Sequence, residues 1–200
     1  MTITKVMICN LALSEIGLRS IAALTETNER ARKCNLIFDI SVDDVLRAHP
    51  WSFATKQEAL ALVSGETVAE LEYDYVYAYP SKCLMIRKLY TQDTLLDPTP
   101  IKFKELNSST NTKIIATDLE NAYIEYTAQV NDVTVFDPAF VKALAYKMAA
   151  DMAVPLCGDS SLANDKLKKY LEQLDDAKRL NKIESPERIE LSGAYIDARA

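Results

Sequence analysis

Glycine is scarce in this 200-residue chain: there are 4, where average usage of about 7% gives roughly 14. That scarcity argues against a fold built on Gly-rich phosphate loops and against a Gly/Ser-type disordered chain. Histidine is scarcer still, with one residue, His49. A His-based metal site is therefore excluded, and a Ser-His or Cys-His arrangement would have to use His49, which has no carboxylate at a telling spacing. No run approaches 18 consecutive apolar residues, so no membrane-spanning helix is expected. Asn10, Ser14 and Glu15 interrupt the apolar start too early for a signal-peptide core. The four cysteines, Cys9, Cys34, Cys83 and Cys157, form no CxxC pair. Their apolar settings predict reduced, semi-buried thiols of a cytosolic chain. GxSxG, GxxxxGKS, GxGxxG and HExxH are all missing. The chain reads as having no cofactor, no metal and no catalytic centre.

What is present is an ordinary globular mixture, 48% apolar and 26% charged, with 23 basic and 29 acidic residues for a net charge of -6. Residues 4–17 place Val6, Ile8, Leu11, Ala12, Leu13 and Ile16 near a 3.6-residue period, with Gly17 as the stop. A second helix is predicted from about Glu26 to Ala48, with the stripe Ala31, Cys34, Ile37, Phe38, Val42, Val45 and Leu46, ended by Pro50. The two should pack on each other. Asp137 as cap, Pro138 at the first helical position and Phe136 stapling onto Val141 start a third helix. Its stripe is Phe140, Val141, Leu144, Ala145, Met148, Ala149 and Met152. A fourth, about Ser161 to Asn181, should bury Ala163, Leu167, Tyr170, Leu171, Leu174 and Ala177.

Between these helix pairs the pattern changes. Trp51, Phe53 and Thr55 alternate as in a strand, while Glu58 to Leu62 fits a helix equally well. Strand periodicity then recurs at Glu72–Tyr79, Cys83–Tyr90, Ile101–Leu106, Lys113–Ala116 and Ala122–Gln129, which predicts an antiparallel insertion of meander type. The expected fold class is α+β, mainly α. An antiparallel helical bundle (1–50 and 136–181) carries a β-rich insertion (51–135) and an extended C-terminal arm (182–200).

Three features stand out as candidate sites. Tyr73, Tyr75, Tyr77 and Tyr79 are spaced by two, so all four rings share one face of a strand. Glu70, Glu72 and Asp74 beside them would repel a phosphate backbone, which leaves a core face or a subunit or tail interface. The arm carries Ile189, Leu191, Tyr195 and Ile196 after Ser185-Pro186, either folded back on its own domain or docked on a partner. Adjacent acids at Asp43-Asp44 and Asp175-Asp176 point about 100° apart on a helix and cannot act as a dyad.

The third feature is Leu46-Arg47-Ala48-His49-Pro50-Trp51-Ser52-Phe53-Ala54, following Ala31, Cys34 and Phe38-Asp39 on the preceding helix. With Ala12-Leu13 and Ile16-Gly17, Tyr79-Pro80 and Cys83-Leu84, Phe136-Asp137-Pro138 and its helix, and Pro155-Leu156, it resembles the head-to-tail adaptors of short-tailed bacteriophages. This is the tail tubular protein A or gatekeeper-type tail accessory family, and the likeness spans roughly residues 1–180. Ser52 stands where that family commonly has Asn.

The resemblance implies a structural protein of the virion tail or neck, assembled in the host cytoplasm as a ring of about twelve copies beneath the portal protein. It implies portal contact through the helices and the arm (Ile189, Leu191, Tyr195, Ile196). It also implies a tail tube or nozzle protein beneath the β insertion, and His49, Pro50, Trp51 and Phe53 as the structural junction. Genomic DNA would pass through without specific binding, and no membrane is involved. A ring of twelve would carry a charge of roughly -72, which would let a duplex slide without sticking. Two other classes stay open: a tail-associated peptidoglycan hydrolase, and a cytosolic helical oligomerisation module unrelated to phage.

Overall fold

The computed structural model describes residues 2–63, 73–91, 101–108 and 110–184. Over these the chain is α+β, with four helices and two small antiparallel sheets. Helix α1 runs Lys5–Glu15, and the Thr4 side chain accepts from the Met7 amide at 3.2 Å as its cap. It stops at Gly17, whose φ of 73° is the left-handed value that glycine adopts without a β-carbon clash. There Leu18 N–H reaches Leu13 O at 2.9 Å and Gly17 N–H reaches Ser14 O at 3.1 Å, closing the orphan carbonyls as a Schellman motif. Helix α2 runs Glu29–Arg47 and starts later than its periodicity predicts. Asn28 is the cap, accepting from the Ala31 amide at 2.8 Å. Glu26 is held in the preceding loop by the amides of Ala22 and Ala23. Those same amides, Ala23 foremost, keep its carboxyl below the usual range.

Helices α3 (Pro138–Cys157) and α4 (Ser160–Glu184) form a hairpin across Gly158, at φ 69°. Asp137 caps α3 as expected, accepting from the amides of Ala139 at 2.7 Å and Phe140 at 3.3 Å. The sequence leads one to expect α1 packed on α2. Instead both lie chiefly against α3, as does α4. The reason is composition: α3 is apolar nearly all round, and Ala143, Ala145, Ala149 and Ala153 alternate with Phe140, Leu144, Met148 and Met152, all buried. A helix without a polar face belongs at the centre.

The stripe of α4 keeps Tyr170, Leu174 and Ala177 as expected but is shifted to one side of the rest. Its buried row is Lys166, Tyr170, Leu174, Ala177 and Asn181, while Leu167 and Leu171 are exposed. The row is satisfied at both polar ends: Lys166 Nζ pairs with Glu15 at 2.8 Å, and Asn181 is fully hydrogen-bonded, as described below. Partnered polar groups can take buried positions that an apolar count would give to leucine.

The chain turns sharply at 51–55, where the Ala54 and Thr55 amides both reach Trp51 O, at 2.9 and 2.8 Å. Strand structure therefore begins only at β1 (Thr55–Ala59), and the helical alternative for 58–62 is not adopted. The later strands are β2 (Tyr75–Ala78), β3 (Cys83–Tyr90), β4 (Phe103–Asn107), β5 (Lys113–Thr117) and β6 (Tyr123–Ala128). They are antiparallel but not a meander. One sheet has the order β1-β6-β3 and the other β2-β5-β4, so β4–β5 is the one hairpin between consecutive strands among the described residues. In chain order β1–β6 encloses β3–β6 and both enclose that hairpin, whereas β2–β5 interleaves with β3–β6. The β4–β5 turn is closed by a hydroxyl cluster of Ser108, Thr110 and Thr112, with Asn111 at φ 60°.

Two apolar cores result. One joins the helices to Trp51, Ala54, Val133 and Phe136. The other lies among the strands, around Tyr77, Ile86, Ile115, Ile124 and Tyr126.

Candidate functional site

The residues 49–53 form the crossing point of the molecule. Trp51 is 1% exposed, and its indole N–H donates to Val45 O at 2.9 Å, so the ring is both buried and satisfied. The ring makes a T-shaped contact with Phe140 at 5.1 Å and stacks on Phe53 at 6.1 Å. Phe53 in turn contacts Phe136 at 5.7 Å and Phe140 at 5.1 Å. The sharp turn at 52–54 is what brings both rings to one side; strand alternation between 51 and 53 would do the same, but without returning the chain towards β6. Phe136, expected to staple onto Val141, sets its ring on Phe140 at 4.8 Å.

Two arginines tie the first sheet to the end of α2. Arg87 on β3 donates through Nη2 to the carbonyls of Arg47 at 2.9 Å and Leu46 at 3.4 Å, and through Nε to Thr127 Oγ1 at 2.8 Å. Arg47 returns a bond from Nη1 to Leu84 O at 2.8 Å. Cationic donors on the last carbonyls of a helix also suit its dipole.

The fourth helix closes the site. Asn181 Oδ1 accepts from Ser52 N–H at 3.1 Å and from Ser52 Oγ at 2.9 Å. Its Nδ2 donates to His49 Nε2 at 3.1 Å and to Pro50 O at 3.5 Å. The Ser52 amide can only donate, so the atom facing it is Oδ1, and the nitrogen necessarily faces the imidazole. His49 Nε2 is therefore an acceptor and the ring is neutral. Burial is the main cause that lowers its pKa below the ordinary histidine value, aided by Lys178, Lys182 and Arg87. The sequence reading names His49, Pro50, Trp51 and Phe53 but not Asn181 or Arg87. A polar residue falling on the 170, 174, 177 row was the legible sign of Asn181.

The tyrosines divide. Tyr77, 2% exposed, lies in the core among the strands, with its hydroxyl donating to Leu119 O at 2.7 Å. Tyr75 stacks on it at 6.4 Å and is half-buried, as are Tyr73 and Tyr79. The Tyr79 hydroxyl accepts from Cys83 Sγ at 3.4 Å, and burial raises its pKa. Lys113 Nζ sits 4.9 Å over the Tyr79 ring. Of the two readings open for the ladder, Tyr77 takes the core face, while Tyr73, Tyr75 and Tyr79 keep part of their surface exposed. The arm residues Ile189, Leu191, Tyr195 and Ile196 lie outside the described residues.

Acidic side chains do not assemble a dyad around α2. Asp43 accepts from Gln129 Nε2 at 2.9 Å, while Asp44 lies 3.6 Å from Lys147. Burial raises the Asp43 pKa, and the Gln129 bond opposes that rise. The four thiols are free, with Cys9 and Cys34 buried, Cys83 half-buried and Cys157 exposed, the last against expectation. Among the described residues no cluster of His, Cys, Asp or Glu could hold a metal, and no helix is long and apolar enough to cross a membrane. Two pairs of exposed apolar side chains stand at helical spacing, Leu36 (65%) and Ile40 (63%) on α2 and Leu167 (45%) and Leu171 (53%) on α4; Leu11, Leu62, Met85, Val135, Val154, Leu180 and Ile183 are exposed as well. Compared with known families and curated proteins, the chain matches no family model and no curated sequence.

Proposed function

We propose that this chain is a head-to-tail adaptor: a structural virion protein that forms a ring under the portal, extends the DNA channel and seats the tail tube or nozzle. In this reading the helices are an antiparallel bundle (1–50 and 136–181) that makes the ring wall. The β insertion (51–135) faces the tail, and residues 182–200 reach along the portal.

The observation that carries it is the pair of unlike apolar faces. Leu36 and Ile40 on α2, and Leu167 and Leu171 on α4, offer two different surfaces to neighbours, and a closed ring needs unlike faces repeated head to tail. The junction supports the reading as well, since the aromatic hinge and the Arg47–Arg87 exchange join helices to sheet rigidly.

The test is co-sedimentation with portal rings of the same virus. The full chain is expected to pellet with them and to add a ring of density in negative stain. Deleting residues 185–200, which leaves α4 intact to Glu184, is expected to give a folded protein that stays in the supernatant. Binding by the truncated chain removes the arm from the proposal. Failure of the full chain removes the adaptor reading itself.

A further inference from the structure

The Asn181 amide spends its whole hydrogen-bonding capacity on the 49–52 turn: two acceptor sites on Ser52 and two donor sites on His49 and Pro50. Three of those partners keep their character at any ordinary pH. His49 does not, because its Nε2 accepts only while the imidazole is neutral. A proton there would set N–H against N–H in a place where both residues are buried, His49 at 7% and Asn181 at 9% exposure.

The surroundings offer no remedy. Among the described residues the charged groups acting on the ring are all cationic: Lys178 and Lys182 from α4 itself, and Arg87 from β3. The Trp51 ring is a further neighbour, in T-shaped contact at 5.1 Å, its N–H already committed to Val45 O. Asn181 is also the last buried position of α4, which ends at Glu184. Beyond it Lys182, Ile183 and Glu184 are exposed.

We propose that His49 and Asn181 form a proton-gated latch, which fixes the last turns of α4 to the α2–β1 junction at neutral pH and releases them on acidification. The latch stands whether or not the chain is an adaptor. The sign follows from linkage: a depressed histidine pKa means that the opened state binds the extra proton. Closure is then complete above about pH 6.5 and is lost as pH falls from there towards the native value. Opening becomes up to about tenfold more favourable for each pH unit within that window.

His49 is the single histidine of the chain, so its ring signals in an NMR titration are assigned by composition alone. The expected result is a midpoint below the ordinary histidine value of about 6.5, with the amide signals of residues 178–184 moving at the same midpoint. Hydrogen exchange, corrected for intrinsic rate, should show those amides losing protection between about pH 7.5 and about pH 5.5. In His49→Gln a side-chain oxygen can accept without titrating, and protection should hold at both values. A normal midpoint, α4 amides that ignore it, or equal loss of protection in His49→Gln each overturn the latch. The wild-type titration decides the question even where the variant does not fold.

Discussion

Trp51 shows how much one side chain can be asked to do. It fills the space between the end of α2 and the start of α3, and it satisfies its own N–H on Val45 O, so no polar debt accompanies its burial. Truncation leaves a void lined by Phe53, Phe140 and His49, which are held by other partners and cannot simply collapse inward. Trp51→Ala is expected to cost about 3–5 kcal/mol, read as a lower urea midpoint at unchanged slope; an unaltered midpoint would mean that the hinge carries no packing load. Its role was legible from the His-Pro-Trp run, because a tryptophan directly after a helix-ending proline has to be stored somewhere. What it is stored against was not legible, since Phe140 comes from a helix 89 positions further along the chain.

Among the elements, those with local signals were readable and those settled by long-range pairing were not. The Asp137-Pro138 start and the Gly17 stop are backbone chemistry within a few residues, and both are found where expected. Gly17→Ala tests the second. A β-carbon there meets no atom within 4 Å, so the cost is conformational alone, about 1–2 kcal/mol for a left-handed alanine. Thermal melts of the variant measure it, and an unshifted melt would show the turn relaxing to another conformation. The strands were found as strands because alternation is local, yet their order was not, because nothing in a strand names its partner. β6 sits between β1 and β3 through contacts far apart in sequence, and a meander is simply the shortest guess. The α4 error has the same root. Leu167 and Leu171 looked like core, yet the buried row is completed by Lys166, paired with Glu15 across the helical layer, and by Asn181, and both leucines face outward.

That orientation matters most for the whole molecule. With Lys166 and Asn181 buried, α4 presents Leu167 and Leu171 to solvent, and α2 presents Leu36 and Ile40. If adjacent copies in a ring join one of these faces to the other, each protomer has one socket of each kind, and the contact is heterologous. Leu36→Glu/Ile40→Glu breaks one kind and Leu167→Glu/Leu171→Glu the other, with little effect on folding because all four side chains are already exposed. On portal rings, cross-linking of the wild-type chain is expected to give a ladder reaching the full ring. Each double variant alone should give monomers, and an equimolar mixture should give dimers and nothing larger, because the remaining intact faces can meet only once. Dimers from either variant by itself would mark a self-complementary contact, and such a contact pairs subunits instead of closing a ring.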